Sequence, residues 1–441
     1  MNERKIKNTS FWFVIIFIAL IAAFIFFFLP IRGSLYSKTG PSEVYFVDNI
    51  TQAHIKIIER FNNEYQDRIH IIPVDLPFNK FSTNDRKEML ARSLRSKSER
   101  LDIFSVDVIW IPRFARWAYP LDGHIDRKIL DSFTKPVLES CYYEGKLVTL
   151  PFYTNVGVFY YRKDLIRKLP DYKSIEKKLQ SSIEWNEFIK LGEQWKKEKT
   201  PFFIFPADNY EGLMCFFYEI MSEKTIREAF SSDKVNLELP MVKRSLNLLY
   251  NFTNTWKFTP MEVTEFDELE SLNYALEKDA LFIRGWPGYR IHHKNNVTEP
   301  EKLSQIVEMP IPHFSDVKKY GVFGGWNLML SKFSTKKEEA IEFIKFVQRE
   351  ENQILLLEEA GHFPVIESLY QDSSLLDRHP EVSYYKKLLD KGRHRPVRLD
   401  YTQISDVMSY YFKLMLKNQI TIDEAVTLAM QKINSKQVII R

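Results

Sequence analysis

The sequence predicts an α/β protein of two lobes, and three observations lead there. The chain has 441 residues, more than one ordinary domain holds, so two compact units are the default. After residue 42 it opens on a strand–helix–strand pattern. Glu43–Val47 reads EVYFV, a helical stretch follows over 52–64, and Ile69–Val74 reads IHIIPV. Further on, two β-branched and aromatic runs, 147–152 and 156–161, flank Tyr153-Thr154-Asn155. That short polar link has no glycine for a tight hairpin. It reads as a hinge or crossover, or as a polar turn between two core strands.

Composition narrows the function. Apolar residues make up 45% of the chain, enough for a sizeable core. The 62 basic and 58 acidic residues nearly cancel, to a net +4. A nucleic-acid binder shows a basic excess or stripe, so none is expected as a partner. Aromatic residues reach 15%; most belong to the core, and a cleft that stacks on flat ligands also needs them. Cys141 and Cys215 are the two cysteines. They can pair in an oxidising compartment or stay two buried thiols, and no Cys/His spacing suggests a metal site.

The N-terminus addresses the chain to a membrane. Residues 1–10 are polar and carry Arg4, Lys5 and Lys7; Phe11–Leu29 then runs without a charge. As a helix that run spans about 28 Å, one hydrocarbon core. It is longer than an ordinary signal-peptide core and no small-x-small site follows at once. The reading is a transmembrane signal anchor over 11–30, with residues 1–10 in the cytoplasm and a tether over 31–42. A long but cleaved signal peptide is the alternative. Either exports residues 40–441, to the periplasm or the cell surface.

The rest of the chain alternates helices and short strands. A charged amphipathic helix is predicted over 86–97, and a buried strand over 106–110, entered through Asp107. If that strand belongs to an open α/β lobe, its C-terminal end lines a ligand crevice, which makes Trp110 and Arg113 candidates. Helices follow over 183–196 and 209–221, and strands over 202–206 and 280–283. Further helices are predicted over 340–348, 404–416 and 420–433.

Gly145–Leu165, GKLVTLPFYTNVGVFYYRKDL, resembles the hinge segment of the family 1 extracellular solute-binding proteins, the capture components of ABC importers for sugars. Three further stretches resemble the family in its order. Ser182–Phe188, SIEWNEF, is similar to its P-x-T-W-x-E step. Leu272–Tyr289, LNYALEKDALFIRGWPGY, is similar to F-x-x-G-x-A…G-x-W, with Asp279 in place of the usual Gly. Met309–Val347, through MPIPHF, GVFGGWNLMLSKFS and TKKEEAIEFIKFV, is similar to its P-hydrophobic-P, G-G and S-K-x-K-E-A-A segments. The resemblance covers nearly all of residues 43–435.

It implies a two-lobed, type II periplasmic-binding-protein-like fold with hinge crossovers. Lobe one is expected at 43–153 plus 313–350, and lobe two at 154–312 plus 351–441. It also implies a ligand cleft. Asp48 and Asn49 stand in the loop after the first strand, where relatives contact ligand and where either residue can instead cap the following helix. Asn155 stands where relatives bond sugar hydroxyls, with Tyr153 beside it. Trp286 offers a flat face to a sugar ring. Gly324 and Gly325 let backbone amides approach, and Trp326 adds a side-chain contact. Tyr401 is the candidate aromatic near the last helices, and His362, on the loop of Glu358–Ile366, EEAGHFPVI, is a further residue that can touch ligand there.

The function this implies is capture of a disaccharide or oligosaccharide between the lobes and its delivery to the permease subunits of an ABC importer. A membrane-anchored sensor presenting the same cleft to a signalling partner is the alternative. No cofactor and no metal are expected. GxSxG, P-loop and HExxH patterns do not occur. Carboxylates are numerous, but nothing marks two of them as a glycosidase pair. A binder rather than an enzyme is expected.

Overall fold

The computed structural model describes residues 40–77 and 80–435. The apolar stretch Phe11–Leu29, read above as an anchor, lies outside them. Among the described residues no helix is long and apolar enough to cross a membrane. Ser42–Arg441 forms one compact unit.

The strand–helix–strand opening forms as predicted, with β1 at Ser42–Asp48, a helix at Gln52–Glu64 and β2 at Ile69–Asp75. Ala53, Ile57, Ile58 and Phe61 recur at helical spacing and are buried. The charged helix occupies Thr83–Arg95 and begins on a Ser82/Asp85 capping box. β3, Ile103–Asp107, begins and ends three residues earlier than the strand expected over 106–110. Asp107 accepts a bond from the Ile109 amide and turns the chain into a 3-10 turn, Val108–Trp110. Trp110 therefore lies one turn past the strand rather than on it.

A small hairpin, β4 Tyr142–Tyr143 and β5 Lys146–Leu147, leads to β6, Leu150–Val156. Here the chain departs from expectation. Tyr153-Thr154-Asn155 is not a link but the inside of β6, and the break falls at Gly157, before β7 at Val158–Arg162. The reason is packing: all seven residues of β6 are buried, and all but Phe152, at a bulge, pair with β11, Phe323–Leu330. Only glycine fits at 157, since a Cβ there would stand 1.8 Å from Glu219 Oε1.

The first sheet has the order β2-β1-β3-β11-β6. β1 is parallel to β2 and β3, and β11 is antiparallel to β3 and β6. The second sheet takes β8 (Phe203–Ile204), β9 (Phe282–Gly285) and β10 (Ile306–Met309) in the order β10-β7-β9-β8. The chain thus passes from the first sheet to the second at Gly157 and returns between Met309 and Phe323. The helix Glu211–Ile220, with nine of its ten residues buried, and the aromatic cluster of Phe159, Trp185, Phe188, Phe203 and Phe216 fill the second lobe. Such ring pairs add about 0.5–1.5 kcal/mol each beyond their buried area. Asp279, at the position where the resemblance expects Gly, holds a left-handed φ of 53°.

Two expected lobe boundaries move. β6 carries the first sheet on to Val156, beyond residue 153. The helix Glu350–Ala360, expected with the second lobe from residue 351 on, packs against Gln52–Glu64 of the first, with Lys56 on Glu359 and Arg60 on Asn352. The last helices, Tyr401–Leu416 and Ile422–Asn434, pack on each other and on Glu211–Ile220. Cys141 and Cys215 are buried free thiols.

Candidate binding site

The strand ends of the first sheet bring several of the predicted residues together. Along β6, Tyr153 and Asn155 point to one face, two residues apart. Across the ladder Trp326 stands opposite Tyr153, and Gly324 opposite Asn155. Trp110 meets Trp326 edge to face at 5.2 Å and stacks on Phe114 at 6.0 Å. Trp110 is 2% exposed, so it supports Trp326 and offers no open face. The Arg86 guanidinium lies 4.6 Å from the Trp326 ring.

Asp48 closes this cluster from β1. It does not cap the next helix; Thr51 holds the N-cap, paired with His54. The Asp48 carboxylate instead accepts from Arg86 Nη2 at 2.8 Å and from the Asn49 amide at 2.6 Å, and meets His54 Nε2 at 3.1 Å. Burial alone would raise its pKa; the His54 hydrogen bond and the charges of His54 and Arg86 outweigh it and hold the carboxyl below its usual range. Asp48 is thus engaged by protein, and Asn49 beside it is half-buried. Arg113, on the next turn, bonds Glu88 at 2.8 Å.

The second lobe contributes Trp286, half-buried after β9. Its Nε1 donates to Glu268 at 3.3 Å, and Arg284 lies 4.3 Å from its ring. The paired glycines are required by the protein's own packing. A Cβ on Gly324 would stand 2.7 Å from the Trp286 ring, and one on Gly325, at φ 130°, would stand 2.6 Å from the Tyr153 carbonyl. Gly324 makes room for Trp286, and Gly325 for the neighbouring strand at a bulge. Tyr401 is fully buried; its hydroxyl donates to Glu211 at 2.7 Å.

Sequence reasoning missed the side chains that join the lobes. Arg395, 1% exposed, donates to Glu211 at 2.7 Å and to Asp107 at 3.3 Å. Lys87 reaches Asp406 at 3.2 Å. The signal for Arg395 was weak: three arginines in RHRPVR, with nothing to say which one turns inward. A cavity of about 480 Å³ lies elsewhere, along the crossing segment, lined by Ile226, Phe230, Phe323, Arg393, His394 and Val397.

The family model for bacterial extracellular solute-binding proteins matches residues 48–354. The chain belongs to that family. Its members bind substrates and are not enzymes. A relative from Deinococcus radiodurans, a probable ABC transporter-binding protein, is 24% identical over 329 residues, 74% of this chain and 77% of its own. Among solved structures, maltose-bound MalE3 of T. maritima superposes with a TM-score of 0.77 at 24% identity, covering 89% of this chain and 99% of its own. The GacH receptor of Streptomyces glaucescens, studied unliganded and with acarbose, gives 0.73 at 18% identity, over 90% and 99%. A solute-binding protein of Thermotoga lettingae bound with α-D-tagatose gives 0.74 at 17% identity, over 90% and 99%. The two-lobed fold expected from the sequence is therefore the family's own.

Proposed function

We propose that this protein captures a sugar, a disaccharide or oligosaccharide, between its two lobes and hands it to the permease of an ABC importer. The observation that carries the reading is the shared face of Tyr153, Asn155 and Trp326 at the crossing, with Trp286 reaching over it from the other lobe. Aromatic faces and amide oxygens on one surface suit the two sides of a sugar ring, its C–H face and its hydroxyl rim. Maltose, acarbose and tagatose in the structural neighbours support the ligand class. Asp48, Asn49, Trp110 and Arg113 hold the first-lobe wall; Tyr401 holds Glu211 at the second. A ligand touching both lobes favours their approach, and that approach is what a permease reads. The uncharged run Phe11–Leu29 anchors the chain, with the lobes outside the cell membrane.

A thermal-shift screen of the full chain against mono-, di- and oligosaccharides tests this. Ligand at about 100 times its Kd adds about 2.7 kcal/mol of stability. A selective rise in melting temperature, lost in Trp286→Ala, is the expected result. Folded protein that responds to no sugar refutes the reading.

A further inference from the structure

We propose that His362 is a further solute-contacting residue of this cleft, set beside Tyr153 and Asn155 where the chain passes between lobes. The inference rests on the sugar-capture reading above. Thr154 and Phe363 exchange backbone hydrogen bonds, at 3.5 and 3.2 Å, so the segment holding His362 runs antiparallel alongside β6. The imidazole lies flat on the Tyr153 ring, with centroids 3.6 Å apart and planes 1° from parallel. That stacking fixes the ring plane, in which both nitrogens lie.

Two polar atoms here are buried without a protein partner: His362 Nδ1 and Asn155 Oδ1. His362 is 7% and Asn155 8% exposed. A buried polar atom is ordinarily hydrogen-bonded, so a pair of orphans on one face points to a ligand that supplies the partners. The backbone places His362 at the junction of the lobes. Gly361, at φ 68°, touches Gly288 of the other lobe so closely that a Cβ would stand 2.5 Å from the Gly288 Cα. From the same side His292 brings its ring to 6.0 Å. A neutral imidazole nitrogen and an amide oxygen, side by side, match two hydroxyls of one sugar or polyol.

Burial, with the neighbouring His292 and His54, holds the His362 pKa well below its ordinary value, so the ring is neutral. The titratable groups around it are Tyr153 on β6, His54 with its Asp48 partner on the first lobe, and His292 and His293 on the second.

Calorimetric titration of the full chain with maltose, α-D-tagatose and D-mannitol at pH 7 tests the proposal. The unaltered chain binds at least one of them. His362→Ala loses tenfold or more in affinity, and His362→Asn recovers most of it. Unaltered affinity in both variants overturns the role of His362 while leaving sugar capture standing. So does an affinity loss in both variants that tracks a matching fall in ligand-free melting temperature, since that marks a purely structural residue. No binding of any probe by the folded, unaltered chain overturns this inference together with the sugar reading.

Discussion

The Trp286 indole, just past β9 of the second sheet, lies on Gly324 of β11 in the first, where the lobes meet. A methyl group on Gly324 would come within 2.7 Å of ring atom Cζ3 and 2.9 Å of Cη2. The ring is held by its Nε1 bond to Glu268 and by the Arg284 guanidinium, so it has little freedom to retreat. Gly324→Ala is therefore expected to push the lobes apart and to remove about 1–3 kcal/mol of stability. Thermal unfolding checks the loss, and small-angle scattering checks the larger radius of gyration. An unchanged radius with unchanged stability refutes the contact.

The first crossing between lobes rests on a buried ion pair. Glu219 and Arg284 are both 0% exposed and meet at 2.7 Å. Burial pushes the Glu219 carboxyl upward even against the Arg284 charge, which shows how strongly the site resists an unpaired ion. Gly157 packs directly on that pair. Glu219→Ala strands the guanidinium and should cost about 3–5 kcal/mol. Glu219→Gln keeps the shape and one acceptor and should cost less. Urea unfolding of the two variants gives both numbers; equal midpoints for Glu219→Ala and the unaltered chain contradict the prediction.

The fold was legible because its signals are local. Ile57, Ile58 and Phe61 mark a helix face by spacing alone, and IHIIPV marks a strand by composition. The crossing was displaced because it depends on partners distant in sequence. Tyr153-Thr154-Asn155 looks like a polar link until β11 is laid beside it, and Gly157 becomes obligatory only once Glu219 is underneath. The candidate site was half legible for the same reason. Trp326, Tyr153 and Asn155 do share a face, as strand pairing then dictates. Gly324 and Gly325 read as openings for a ligand, but that their missing side chains also make room for the Trp286 ring and the Tyr153 strand depends on partners distant in sequence. Arg395 and His362 owe their positions to residues more than 150 places earlier in the chain, a relation no local pattern encodes.

Two buried histidines, His293 and His362, and the half-buried His292 should make stability fall in acid. Burial lowers His292, His293 and His362, with His293 brought to about 3. An unfolded histidine titrates near 6.5. Between that value and 3 the unfolded chain binds a proton that folded His293 refuses, so stability is complete above about pH 6.5 and declines as pH falls. Raised carboxyls such as Glu219 and Glu308 act in the opposite sense, so the test is a difference. His293→Phe should flatten the melting-temperature profile between pH 7 and pH 4 relative to the unaltered chain. Parallel profiles contradict the assignment.

Arg395 is the strap whose removal should be felt in both lobes. Its side chain donates to Glu211 at 2.7 Å, to Asp107 at 3.3 Å and to the Phe323 carbonyl at 3.1 Å. Glu211 opens the helix Glu211–Ile220 of the second lobe, while Asp107 ends β3 of the first. Arg395→Ala leaves two largely buried carboxylates without their shared cation, a change worth about 3–5 kcal/mol at neutral pH. Arg395→Lys keeps the charge but loses the fork that reaches both acids, so it should fall between. The pH dependence gives the sign. Burial already raises the Asp107 carboxyl, and the Arg395 charge is the main force opposing it. Without that charge Asp107 binds its proton more readily when folded than when unfolded. Acid then favours the folded variant, and the gap between Arg395→Ala and the unaltered chain should narrow as pH falls from 7 to 5. Urea midpoints at the two pH values measure that gap. A constant gap would mean that Arg395 acts by filling space, through its stem, rather than by joining the charges of the two lobes.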